Sequence, residues 1–134
     1  MILTIKIKLH SWSAIIEIED SSTTEDLHYV IQQAVEFDDD HLYEFYIANS
    51  HRSNNRDIIS TYENADIIVL ANCFPLIKGK KLFYLFDYGD NWVFQVSQSR
   101  KAPFVAKSGI KYPRLVSETG ERPAQYPNWE ADDV

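Results

Sequence analysis

Apolar and polar residues alternate without a break from Thr4 to Leu9, with Ile5, Ile7 and Leu9 on one side and Thr4, Lys6 and Lys8 on the other. A period of two sends successive side chains to opposite faces, so this segment reads as a strand with one wet face. Residues 14–19 repeat the pattern less strictly, Ala14, Ile16 and Ile18 standing against Ile15, Glu17 and Glu19. The short link from His10 to Ser13 makes the pair a hairpin. The period then changes. Leu27, Val30, Ile31 and Ala34 recur at spacings of three and four, the stripe of a helix buried on one side. Ser22-Thr23-Thr24-Glu25 fits a capping box at its start, and Glu25 and Asp26 put negative charge at the positive end of the helix dipole. A triple carboxylate, Asp38-Asp39-Asp40, is unfavourable at a helix C-terminus, so the helix is expected to end before it.

His41 to Ile47 is expected to form a third strand, aromatic on both faces and so covered on both. Residues 49–66 are polar and rich in asparagine, and read as an exposed loop. Ile67 to Phe74 is apolar and suits either a strand or a short helix, closed by Pro75 and Gly79. From Leu82 to Val96 two aromatic runs flank Gly89 and Asp90, which reads as a β-hairpin with one of those two residues at positive φ. Ile110 to Val116 is the last expected strand, and from about Thr119 onward Gly120, Pro123 and Pro127 break any regular pattern. Glu130, Asp132 and Asp133 complete an acidic tail. No repeat or linker divides the chain, so residues 1–134 are expected to form one domain with an extended C-terminal tail from about residue 119. The fold class is α+β: a ββαβ start in the order of a β-grasp, a mixed sheet packed on one main helix, then the aromatic hairpin and a last strand.

Composition narrows the function classes. With 134 residues, 45% hydrophobic and 25% charged, the chain is long and apolar enough to bury a core and is not disordered over most of its length. No apolar run is long enough to cross a bilayer, so no membrane partner is expected. The lysines that interrupt the first strand spoil a signal-peptide core. Cys73 is the only cysteine, which rules out an intrachain disulfide and fits a reducing cytoplasm. A net charge of −7 argues against a general polyanion binder. The charge is uneven: residues 1–66 carry 4 basic and 13 acidic side chains, residues 67–134 carry 9 and 7. Between Asn91 and Ser117 there is no acid, while Arg100, Lys101, Lys107, Lys111 and Arg114 accumulate. Such a segment serves either as a solvated loop and strand edge or as a basic face for phosphate. The overall acidity weakens attraction of nucleic acid and favours the former.

Candidate chemistry is sparse. There is no Walker loop, dinucleotide fingerprint, CxxC pair or HExxH helix, and four glycines are too few for a phosphate-cradling loop. Cys73 lies in an apolar stretch and reads as an inert core thiol. His28, His41, Glu44, Asp87 and Asp90 form the best acid–base or metal group, since imidazole and carboxylate together hold zinc, manganese or iron. Against it, His41 and Glu44 diverge on a strand, and an aspartate beside a glycine turn commonly bonds turn amides. No cofactor or metal is therefore expected, and His28, His41, Asp87 and Asp90 are the ligands if one binds. Most of the aromatic residues should be core, Trp92 among them, packed on the helix stripe at Leu27 and Ile31.

Three segments together carry a family resemblance. They are Asp26-Leu27-His28 through Val30-Ile31-Gln32 to Phe37–Phe45, then Tyr84-Leu85-Phe86-Asp87-Tyr88-Gly89-Asp90-Asn91-Trp92, and finally Tyr112-Pro113-Arg114 with Gly120–Pro127. In these the chain resembles the plasmid-pRi Orf-three-like family, whose members are often labelled insertion-element passenger proteins of TnpR type. Arg122–Pro127 stands where that family commonly has a cysteine-containing, glycine-rich segment, so no thiol or metal role attaches to it. The resemblance implies a compact α+β domain of plasmids and mobile elements, a family without an agreed activity. A resolvase activity finds no serine-recombinase nucleophile context or helix-turn-helix pattern in the chain. The expectation is a cytoplasmic, non-catalytic module that binds an unknown protein partner. Its face is the aromatic hairpin and the helix edge: His28, His41, Glu44, Asp87, Tyr88, Asp90 and Trp92. The alternatives are a metal-dependent hydrolase or nuclease built on His28, His41, Asp87 and Asp90, and nucleic-acid binding through residues 100–114.

Overall fold

A computed structural model of the chain describes residues 1–126. Pro127, Glu130, Asp132 and Asp133, expected in the tail, lie outside the described residues. The elements run β1 (Ile2–Leu9), β2 (Trp12–Glu19), α1 (Thr24–Val35), β3 (Tyr43–Ala48), β4 (Asp57–Thr61), a 3-10 turn (Leu70–Asn72), β5 (Lys81–Phe86), β6 (Trp92–Gln98) and β7 (Arg114–Thr119). The seven strands form one sheet in the order β4-β3-β5-β6-β1-β2-β7.

The α+β class holds, but the sheet is not mixed: every pairing is antiparallel. The reason lies in the links between parallel strands. The helical crossover carries the chain from β2 to the parallel β3 over β1, β6 and β5, and the link from β4 to the parallel β5 passes over β3, so in neither case do the joined strands pair. The likeness to a β-grasp does not extend beyond the order of the first four elements. The helix covers one face of the sheet, where Ile5, Ile7, Ile16, Phe45, Tyr84 and Phe94 pack against Leu27 and Ile31 in one core.

The capping box forms one residue later than the sequence suggests. Thr23 accepts from the Asp26 amide, and the Asp26 carboxylate accepts from the Thr23 amide at 2.9 Å. The helix closes in a left-handed cap at Glu36, φ 58°, before the triple aspartate. Residues 49–66 are not wholly a loop: Asp57–Thr61 pairs with β3 as an edge strand, a role its mixed polarity permits. Ile67–Phe74 holds a single β-bridge, Val69 to Thr23, and the 3-10 turn, whose Leu70 is buried. The last strand begins at Arg114 rather than Ile110 and pairs with β2 across a bulge.

The aromatic hairpin is present, but its left-handed residues are Asp87 (φ 67°) and Asn91 (φ 54°), not Gly89 or Asp90. Asp87 caps the turn, its Oδ1 accepting from the amides of Gly89 at 3.0 Å and Asp90 at 3.3 Å, which makes positive φ at Gly89 unnecessary. Trp92 is half-buried rather than largely buried, packed at the margin of the core that holds Leu27 and Ile31, edge-on to Phe37 at 5.1 Å and near His10. Among the described residues, the fully buried indole is Trp12, whose Nε1 donates to Glu118 at 2.9 Å. Cys73 is buried, and burial raises its thiol pKa, as suits an inert core residue.

Candidate functional site

His28 lies on the inner face of α1, 2% exposed. Gln32, one turn on, donates from Nε2 to the Tyr84 hydroxyl at 2.9 Å. That hydroxyl therefore turns its own proton to His28 Nδ1, 2.5 Å away, which leaves His28 Nε2–H to donate to Asp39 Oδ1 at 2.6 Å. The Asp39 amide completes the ring by donating to Gln32 Oε1 at 3.0 Å. Helix, β5 and the loop before β3 are thus joined by a closed cycle of four hydrogen bonds. Burial pulls the His28 pKa below its ordinary value, against the opposing pull of the Asp39 carboxylate. Burial likewise pushes the Tyr84 phenol well up. A cleft of about 390 Å³ opens beside the cycle, bordered by Tyr29, Gln32, Glu36, Phe37 and Asp39. His28 does not line it; only the Asp39 end of the relay reaches solvent.

His41 belongs to a second group. Its Nε2 stands 2.8 Å from the Tyr126 hydroxyl and 3.3 Å from Asp87 Oδ2. Tyr126 donates to Asp40 Oδ2 at 2.7 Å, and Gln125 Nε2 donates to Asp40 Oδ1 at 2.9 Å. The Asp38 amide donates to Gln125 Oε1 at 2.7 Å, and Arg122 pairs with Glu36 at 2.8 Å. The C-terminal segment is thereby fastened to the loop between α1 and β3. The Tyr126 hydrogen bond lowers the Asp40 pKa, and the same bond helps push the Tyr126 phenol to about 12.

The sequence-derived ligands therefore separate. Asp87 meets His41, His28 meets Asp39 and Tyr84, and Asp90 sits exposed in the turn. Among the described residues, no three of histidine, cysteine, aspartate and glutamate gather as a metal site. Of the five basic candidates, Arg114 donates to Glu17 at 2.6 Å and Lys101 lies 3.9 Å from the same carboxylate. Lys101 and Lys107 also lie over the Phe104 ring, so part of the segment's charge already has a contact within the chain. Arg100, Lys101, Lys107 and Lys111 are all exposed.

Glu44 and Tyr88 do come together. Tyr88 donates to the Tyr43 carbonyl at 3.3 Å, and the Tyr62 amide donates to the same carbonyl at 3.0 Å. Burial first, then the nearby Glu44, Tyr62 and Glu63, push the Tyr88 phenol to about 12. On the other side of Tyr43, Glu25 and Asp39 raise the phenol of Tyr29. Tyr29, Leu42, Tyr62 and Tyr88 are each between 41% and 48% exposed. Tyr62, Tyr88, Glu44 and Glu63 group together, while Tyr29 with Glu25 and Asp39 lies on the helix side of Tyr43. Tyr29, Leu42, Tyr62 and Glu63 went unnoticed in the sequence, where no spacing links them. Asp39, Gln32 and Tyr84 were equally hidden, although the triple aspartate was a visible signal.

Residues 1–125 match the family described as plasmid pRiA4b ORF-3-like protein. Among solved structures, the chain is similar to the protein of unknown function MM3350 from Methanosarcina mazei Go1. The TM-score is 0.71 at 26% identity, over 87% of this chain and 68% of that one. No curated protein matches. Among the described residues, no helix is long and apolar enough to cross a membrane.

Proposed function

The chain belongs to the plasmid pRiA4b ORF-3-like family, and on the geometry above we propose that it is a non-catalytic interaction module. Its docking surface is the acidic, tyrosine-bearing patch of Glu44, Tyr62, Glu63 and Tyr88, and its partner is a protein presenting a basic segment. One observation carries the reading: Tyr62 and Tyr88 stand exposed beside the carboxylates of Glu44 and Glu63. Exposed tyrosines supply large contact area at small entropic cost, and charge complementarity selects a cationic partner. The acidic excess of residues 1–66 strengthens that selection. His28 favours this reading over catalysis, because both its ring nitrogens are held in a closed cycle.

The test is titration of the protein with a labelled peptide of arginine and leucine residues, read by fluorescence anisotropy. Tyr88→Ala combined with Glu44→Gln is expected to weaken binding by about tenfold or more, and added salt to weaken it further. Lys111→Gln, on the basic segment, is expected to leave it unchanged. Equal affinity for the parent and the Tyr88/Glu44 variant would refute the proposal.

A further inference from the structure

The face of the sheet opposite α1 holds a separate cavity. Tyr46, Phe83, Gln95 and Lys8 stand side by side across β3, β5, β6 and β1, and Glu44, Leu85 and Val93 form the next row. The chain after β3 folds back over this face. Tyr46 donates to the His51 carbonyl at 3.2 Å, and the Arg56 guanidinium lies 4.4 Å from the Tyr46 ring centroid while donating to that carbonyl at 2.9 Å. His51 is thereby held over the sheet with its ring 6.2 Å from that of Phe83. Between this loop and the β1–β2 turn lies a groove of about 370 Å³. Phe83 and Val93 form its floor, and Lys8, His10, His51, Asn91 and Gln95 line it.

We propose that this groove binds a small organic anion, a phosphate monoester or carboxylate with a compact apolar body. The volume is that of a small-molecule site, apolar below with a few convergent polar groups. Every ionisable residue in the lining is basic, although the chain as a whole carries a net charge of −7. Among the described residues, Lys8, His10 and His51 enter no ion pair, so no carboxylate competes with an anion for them. Glu44, the one acid in these two rows, is two strands away from Val93. Asn91 and Gln95 add amide donors suited to the same head group. The apolar floor favours an anion that carries a body over a bare inorganic ion.

Amide chemical shifts followed during titration with phenyl phosphate, benzoate and inorganic phosphate test this. The expected result is saturable shifts at Lys8, His10, His51 and Asn91. At least one organic anion should bind about tenfold more tightly than inorganic phosphate. The tighter of the two identifies the head group. Lys8→Gln should weaken that binding about tenfold, and Val93→Trp, which fills the floor, should abolish it. Melting curves of both variants confirm that they are folded. Shifts confined to other surfaces would overturn the proposal, as would equal affinity after Lys8→Gln. So would tighter, steeply salt-dependent binding of a short single-stranded oligonucleotide, which would make the groove a nucleic-acid surface.

Discussion

The imidazole of His28 lies flat on the phenol of Tyr43, with ring centroids 3.7 Å apart and planes 5° from parallel. Its two nitrogens meanwhile bond Tyr84 and Asp39. A single side chain of the helix thus touches β3, β5 and the loop that leads into β3. Such a residue acts on stability through packing, hydrogen bonding and proton linkage together.

The linkage has a definite sign. Burial sets the folded pKa of His28 below 6.5, the ordinary value that the unfolded chain retains. The contribution of the neutral ring is complete above that value. It is lost as the pH falls, because the unfolded chain takes up a proton that the folded ring resists. His28→Phe is expected to lower stability at neutral pH and to flatten the acid-side slope. Urea midpoints of parent and variant at about pH 7.5 and about pH 5.5 check this. Parallel pH dependences would show that His28 does not carry the effect.

Tyr84→Phe removes the hydroxyl at the centre of the cycle and leaves His28 Nδ1 and the Gln32 amide without partners. Orphaning buried polar groups of this kind costs about 1–3 kcal/mol. The loss should appear in the denaturation midpoint without a change in the slope. A midpoint within error of the parent would mean that water or a neighbour replaces the hydroxyl.

Two glycines should respond oppositely to alanine. Gly89 has no positive φ, and a Cβ there meets only Asp87 Oδ1 at 3.3 Å, so Gly89→Ala is expected to be mild. Gly120 has φ 84°, and a Cβ there would lie 2.1 Å from the Ser11 carbonyl oxygen in the β1–β2 turn. Gly120→Ala must therefore displace backbone and is expected to cost more than about 1 kcal/mol. Thermal melting of the pair decides the order, and equal midpoints would contradict it.

The indoles give a further contrast. Trp12 is fully buried between the sheet and its hydrogen bond to Glu118, whereas Trp92 is half-buried beside Phe37. Trp12→Ala is expected to cost about 3–5 kcal/mol and Trp92→Ala clearly less. Chemical denaturation of both variants measures the difference, and a larger loss at Trp92 would reverse the assignment.

Local pattern alone determined much of the scaffold. The alternation of Ile5, Ile7 and Leu9, the helical stripe of Leu27 and Ile31 and the aromatic runs around Gly89 each appear where the sequence places them, because periodicity and turn chemistry act over a few residues. The family was legible for a similar reason, since its motifs are local strings. Tertiary structure decided what depends on residues far apart. Asp57–Thr61 becomes a strand only because β3 offers it an edge, and the sheet is antiparallel because both links between parallel strands, β2 to β3 and β4 to β5, pass over intervening strands. The site followed the same division. His28 was visible as a polar residue beside an apolar stripe, but its partners are 11 and 56 residues away, and no sequence period couples positions at such separations. The tyrosine surface and the basic groove arise likewise, from side chains that meet because strands distant in sequence are neighbours in the sheet.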